Sequence, residues 1–305
     1  MRIAVVGAGG IGGYVGARLI QAGGDVSFIA RGAHLEAMLR GGLRIRSIAG
    51  DLFLSDVSAS AEPADIGPVD LVIFTVKLYD TEKAAASLGP LMGGKTLILT
   101  LQNGIDSVET LRRHVPGATV AGGATYISGF IGQPGEIVHV GGLPHVLVSE
   151  DPAAVVQELE ALCRLAIGLE LHLVTDIDSV LWEKFVTLAA FSGGTSLMRS
   201  GIGPILEDAE AKIFIEQLRD EGIALAAAAG HPLSEGFADR VMARWAALPA
   251  SGKSSMANDL ERGKPLEVEW LSGRMHRLGL QCGIATPGHT SVYRALHLHA
   301  TGAPR

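Results

Sequence analysis

Residues 2–6 form a short apolar, β-branched run, the pattern of a buried strand. A glycine-rich stretch follows. A helical segment over 10–22 then carries its small residues, Gly13, Gly16 and Ala17, on one side. Val26 to Ala30 predicts a second strand. The two periods keep alternating: a helix near 33–40, a strand over Leu71–Thr75, a helix over 81–88, a strand over Leu97–Leu101, a helix over 107–114. This rhythm predicts a parallel sheet with helices on both faces. From Val120 to Val148 short strands with Gly-Gly and Pro-Gly turns replace it. Asp151 reads as an N-cap with Pro152 at the first helical position. That helix should end near Gly168, with Leu169–Val174 a last strand.

Beyond Asp176 strand signals stop, and helices are expected over 177–191, 208–229, 234–247, 254–262, 266–279 and 288–299. The expected fold class is therefore α/β, an N-terminal Rossmann-type doubly wound sheet followed by an all-helical C-terminal domain. The boundary is expected near residue 175, giving a nucleotide-binding domain over 1–175 and a helical substrate or catalytic domain over 176–305. No linker separates them, so direct packing with a cleft between the two is expected.

Composition narrows the class. With 48% hydrophobic and 19% charged residues the chain can bury two cores. A net charge of −7 and the absence of a basic run argue against nucleic acid as a partner. No apolar run reaches the ~18 residues of a membrane span. The N-terminal apolar block runs into glycines rather than a signal-peptide core, so a cytoplasmic protein is expected. Cys163 and Cys282 stand far apart and read as two reduced thiols. The ten histidines show no His-Glu-x-x-His and no Cys/His cluster, so no metal site is expected from spacing.

Gly7-Ala8-Gly9-Gly10-Ile11-Gly12 matches G-x-G-x-x-G and lies between the first strand and the first helix. In that context Gly7 permits the tight turn, Gly9 lets backbone approach a pyrophosphate, and Gly12 lets the helix sit against the strand. The second strand ends Phe28-Ile29-Ala30-Arg31. The acid that bonds a ribose 2′-hydroxyl is missing there, and Arg31 suits a 2′-phosphate, which points to NADPH. Two further patterns mislead. Residues 89–96 match a Walker A motif but precede a strand, in inverted order, and Tyr79-x-x-x-Lys83 stands too early to be a dehydrogenase catalytic pair. Asn103 follows a strand at its carboxyl end, where a cofactor crevice lies. Lys184 sits in an otherwise apolar helix, either snorkelling or held in a pocket as a general acid.

Taken together, the glycine-rich turn, Arg31, Thr75-Val76-Lys77, Gln102-Asn103-Gly104, Trp182-Glu183-Lys184, Ser254-Ser255-Met256-x-x-Asp259 and Glu267-x-x-Trp270-Leu271-x-Gly273 resemble the ketopantoate reductase family. The resemblance runs from Gly7 to about Tyr293, and the order and spacing of the pieces carry it. It implies Lys184 as catalytic lysine and Glu267 as its tuner or a substrate contact. It also implies Ser255 on the substrate carboxylate, Asn103 on cofactor and substrate, and Arg31 and Lys77 on NADPH. The implied partner is a small 2-oxo acid, reduced to the 2-hydroxy acid. With ketopantoate as substrate the place is pantothenate biosynthesis, and the reading leaves room for a homodimer. The chain departs from the pattern at Leu188 and Ser192, where ketopantoate-specific members usually carry Asn, and at Gly252, where they often carry Asn. Ser192 remains a candidate substrate contact, and the lost amides point toward a more apolar oxo acid.

Overall fold

The computed structural model describes residues 1–141, 145–149 and 154–304. It divides into two compact units, Met1–Ile177 and Asp178–Arg305. Asp151 and Pro152, expected to cap a helix, lie outside the described residues.

The first unit runs β1 (Arg2–Val6), α1 (Gly10–Gln21), β2 (Asp25–Ile29), α2 (Gly32–Gly41), β3 (Leu43–Ser47), β4 (Leu52–Leu54) and β5 (Ser58–Ser60). It continues with β6 (Val69–Phe74), α3 (Thr81–Ala85), β7 (Met92–Thr100), α4 (Ser107–His114), β8 (Thr119–Thr125), β9 (Ser128–Gln133), β10 (Glu136–Gly141), β11 (His145–Ser149), α5 (Ala154–Cys163) and β12 (Glu170–Val174). Eight strands make one sheet in the order β12-β11-β8-β7-β6-β1-β2-β5. From β5 to β8 every pairing is parallel, and the chain reverses direction of travel at β1, the topological switch point of a doubly wound sheet. Both faces are buried, as the apolar runs demand. Ile3, Val5, Leu71 and Ile73 pack on one side, while Ala4, Val6, Val72 and Phe74 pack on the other.

Three features depart from the sequence reading. β11 lies antiparallel to β8, and β12 follows it. Among the described residues the chain between β8 and β11 makes no helical crossover, so a parallel return is not open to it. Secondly, β3, β4, β9 and β10 form a separate four-stranded sheet, ordered β4-β3-β10-β9, that covers α1. Its available signal was the alternation Leu43-Arg44-Ile45-Arg46, whose leucine and isoleucine are buried and whose arginines are exposed. Thirdly, the helix over 81–88 is short. After Ala85 the bonds Ser87 N to Ala84 O and Leu88 N to Ala85 O tighten the chain into a turn. Between α1 and the small sheet, the buried Arg18 guanidinium lies 5.1 Å from the Tyr14 ring centroid. The Tyr14 hydroxyl donates to the Gly168 carbonyl at 2.6 Å, closing this polar layer.

The second unit is helical: α6 (Ile177–Leu197), α7 (Ile202–Glu207), α8 (Ala209–Ala228), α9 (Phe237–Ala246), α10 (Ser255–Glu261), α11 (Ser272–Cys282) and α12 (Pro287–Leu296). α6 extends past the expected end at 191 through Gly193-Gly194. These glycines serve packing rather than termination. A Cβ on Gly193 would stand 3.1 Å from Ser272 Oγ, and one on Gly194 3.0 Å from Ile215. The helix expected over 266–279 starts only at Ser272. Before it the Glu267 carbonyl accepts from Trp270 N and Leu271 N in a turn. Leu271 leaves helical geometry at φ −105°, ψ −99°. Glu221 of α8, buried, caps α12 by accepting from Gly288 N at 2.7 Å and His289 N at 2.9 Å.

Candidate active site

In the first unit the candidate nucleotide residues follow the carboxyl ends of four neighbouring strands, β7-β6-β1-β2. The turn Gly7–Gly12 follows β1, Arg31 follows β2, Lys77 follows β6 and Asn103 follows β7. Side chains tie these loops together. Thr75 Oγ1 donates to the Gly7 carbonyl at 2.8 Å. Buried Gln102 donates from Nε2 to the Val76 carbonyl at 2.9 Å and to Thr81 Oγ1 at 2.8 Å. Nothing in the sequence marks this bracing role of Thr75 and Gln102, because each acts through a partner more than twenty residues away.

The glycines of the turn differ in what requires them. Gly7 has φ +100°, a conformation L residues avoid. A Cβ on Gly12 would meet the Gly7 carbonyl at 2.2 Å, and one on Gly10 the Gly129 carbonyl of β9 at 2.1 Å. Gly9 is unlike them: its φ is −78°, and an added Cβ would find no atom within 4 Å. Neither backbone nor packing demands glycine there. The first turn of α1 has neither an acidic residue nor a side-chain cap to satisfy its N–H groups. The arrangement fits a dinucleotide pyrophosphate. Arg31 is exposed and serves as N-cap of α2. The Walker-like pattern ends inside β7, where Lys95 is a strand residue, so it has no helix to open.

In the second unit Lys184 is buried on α6. Burial lowers its pKa from 10.5 to about 8, the Glu267 carboxylate pulls it back up, and the Arg244 guanidinium pushes it down. Glu267, itself buried, comes from the turn before α11, and Arg244 from α9. The preceding residue, Glu183, faces elsewhere. It accepts from the Ser234 hydroxyl and lies 3.6 Å from Arg240 Nη2. Adjacent residues on a helix point about 100° apart, so an anchored Glu183 leaves Lys184 turned inward.

Thr195, further along α6, donates to Ser254 Oγ at 3.0 Å. Ser254 is the N-cap of α10 and accepts from Ala257 N at 3.0 Å. This chain of bonds leaves the neighbouring Ser255 exposed. Ser192 and Ser196 are buried, and their hydroxyls have no hydrogen-bond partner among the described residues. Leu188 is half-buried. Gly252 is held by a close approach: a Cβ there would stand 2.9 Å from the Pro249 carbonyl, while Gly252 O accepts from Ile202 N. A side chain at 252 needs a backbone shift, so that departure from the family pattern is built into this chain's turn. Arg244 was missed by sequence reasoning, since nothing in α9 marks it out from Arg240, the helix's other exposed arginine.

Residues 3–151 match the family model described as ketopantoate reductase PanE/ApbA, and residues 176–300 match the model of its C-terminal part. The 2-dehydropantoate 2-reductase of Archaeoglobus fulgidus is 32% identical over 285 residues, covering 93% of this chain and 92% of its own. That of Halobacterium salinarum is 31% identical over 291 residues, covering 94% and 95%. The crystal structure of the 2-dehydropantoate 2-reductase from Geobacter metallireducens is similar with a TM-score of 0.90 and 32% identity, over 97% of this chain and 99% of that one.

Proposed function

Because the chain belongs to the ketopantoate reductase family of oxidoreductases, we propose that it reduces a small 2-oxo acid to the 2-hydroxy acid with NADPH, ketopantoate being the best candidate. The carrying observation is the buried lysine opposed by a buried carboxylate. NADPH, when bound, supplies a hydride to the carbonyl carbon. The carbonyl oxygen then gains negative charge and needs a proton. The Lys184 ammonium hydrogen-bonds that oxygen, stabilises its charge, and transfers the proton to it. With a pKa of about 8, Lys184 is charged in about nine-tenths of molecules at pH 7. It is also a stronger acid than an ordinary lysine, which suits a donor working near neutrality. Glu267 keeps it protonated despite burial. Ser255 and the positive potential of Arg244 favour the substrate carboxylate. Gly7 to Gly12, Lys77 and Asn103 hold the dinucleotide, and Arg31 its 2′-phosphate.

A 2-oxo acid with an apolar tail is the second reading, favoured by Leu188 and by the turn that holds Gly252. Leu188 stands one helical turn beyond Lys184 and offers no group to a substrate hydroxyl. The test is initial-rate measurement with NADPH against ketopantoate and a series of branched and aromatic 2-oxo acids. Turnover of ketopantoate above the rest supports the first reading, and preference for apolar tails supports the second. No turnover of any 2-oxo acid overturns both and favours a nucleotide-binding sensor.

A further inference from the structure

Read along the chain, the histidines show no metal-binding spacing, yet the edge of the large sheet gathers three potential ligands of two types. His145 on β11 pairs in register with Glu170 on β12. His172 lies two residues beyond Glu170, so the two share one face of the strand. His145 Nε2 lies 3.0 Å and His172 Nε2 3.2 Å from the same oxygen, Glu170 Oε2. The imidazole centroids are 4.5 Å apart, edge to face. One donor atom from each of the three residues falls within 4.8 Å of the other two.

We propose that His145, Glu170 and His172 bind a divalent transition-metal ion, Zn²⁺ being the ion the site takes. Nitrogen and oxygen ligands about 2.0–2.2 Å from a tetrahedral zinc stand roughly 3.3–3.5 Å from each other. The two histidine-to-carboxylate separations are already close to that value. Two imidazoles and a carboxylate are also a donor set that suits zinc, with water completing the sphere. All three side chains are partly exposed, His145 least at 28%. An ion can therefore enter, and small side-chain rotations bring the two nitrogens together. In the metal-free form the His172 Nε2–H donates to the carboxylate, and His145 Nε2 lies beside the same oxygen. Zinc replaces both contacts, and each neutral ring carries its proton on Nδ1 instead.

Glu170 and His172 fall between the two stretches that match the family models, which end at residue 151 and resume at 176. The three residues stand on β11 and β12 of the first unit, whereas Lys184 and Glu267 belong to the second. β12 is the edge strand of its sheet. An ion bridging it to β11 clamps the edge, where strands are otherwise held on one side only. The expected consequence is stability rather than chemistry.

The test uses tag-free, chelator-stripped full-length protein titrated calorimetrically with ZnCl₂. One ion per chain is expected, with a Kd on the order of 1 µM, weaker than four-ligand structural sites. His145→Ala and His172→Ala should each weaken binding at least tenfold, and Glu170→Gln should do the same. Co²⁺ in place of Zn²⁺ should give the visible absorption of a low-coordinate site in wild type and lose it in the variants. A hundredfold excess of Zn²⁺ over Kd should raise the wild-type Tm by several degrees and leave the variants unmoved. The variants' own Tm without metal reports whether they fold, and His172→Gln replaces any that does not. No Zn²⁺ binding tighter than about 100 µM, or binding that all the substitutions leave unchanged, overturns the proposal.

Discussion

Replacing Lys184 with methionine separates the work of this residue from its cost to the fold. Methionine keeps an unbranched side chain of similar length and removes the charge. Burial lowers the Lys184 pKa from 10.5 to about 8. Each pKa unit is worth about 1.4 kcal/mol, so the folded state carries roughly 3 kcal/mol against the charged lysine. The sign follows from proton counts. Between pH 8 and 10.5 the unfolded chain keeps the lysine proton and the folded chain has released it, so wild-type stability rises with pH across that window. Below pH 8 both states are protonated and the full penalty stands. Lys184→Met carries no such term. Its stability relative to wild type should therefore be highest near pH 7 and fall by roughly 3 kcal/mol by pH 10.5. Urea unfolding of both proteins at pH 7, 8, 9 and 10.5 measures the difference directly. The same variant should lose at least ~10² in turnover while still binding NADPH. A stability difference that stays flat from pH 7 to 10.5 would refute the buried-ammonium account, and near wild-type turnover would refute the proton-donor role.

Glu267→Gln removes what raises the Lys184 pKa, so the alkaline limb of kcat should move to lower pH; an unmoved pH–rate profile counts against the pairing. Arg31→Ala should erase an NADPH preference over NADH that we expect to exceed about tenfold in kcat/KM, worth about 1.4 kcal/mol, and equal efficiency with the two cofactors in wild type removes its basis. Gly9→Ala should leave Tm unchanged or slightly raised while weakening NADPH binding, since the new methyl meets only the ligand. Gly12→Ala should instead destabilise the fold by about 1–3 kcal/mol, its methyl striking the Gly7 carbonyl; equal effects of the two on Tm would show that Gly9 too is structural.

Local pattern decided much of this protein. Apolar runs, interrupted only at Ser27 and Thr100, marked β1, β2, β6 and β7 because a strand buried on both faces leaves little room for polar residues. The glycine-rich turn was legible because strand, turn and helix are contiguous in the chain. The helical character of the second half and the identity of Lys184, Glu267 and Ser255 as candidates followed from residue types in order. Tertiary structure decided what depends on distant partners. The small sheet joins β3 and β4 to β9 and β10 across some eighty residues. Gly193-Gly194 looks like a helix end until α8 and α11 are seen packing on it. The Lys184 pKa is set by burial, by a carboxylate 83 residues later and by an arginine 60 residues later. His145, Glu170 and His172 become neighbours only through the register of β11 on β12. Propensity and periodicity act over one turn or one strand. Desolvation, register and close packing act through space, and no reading along the chain contains them.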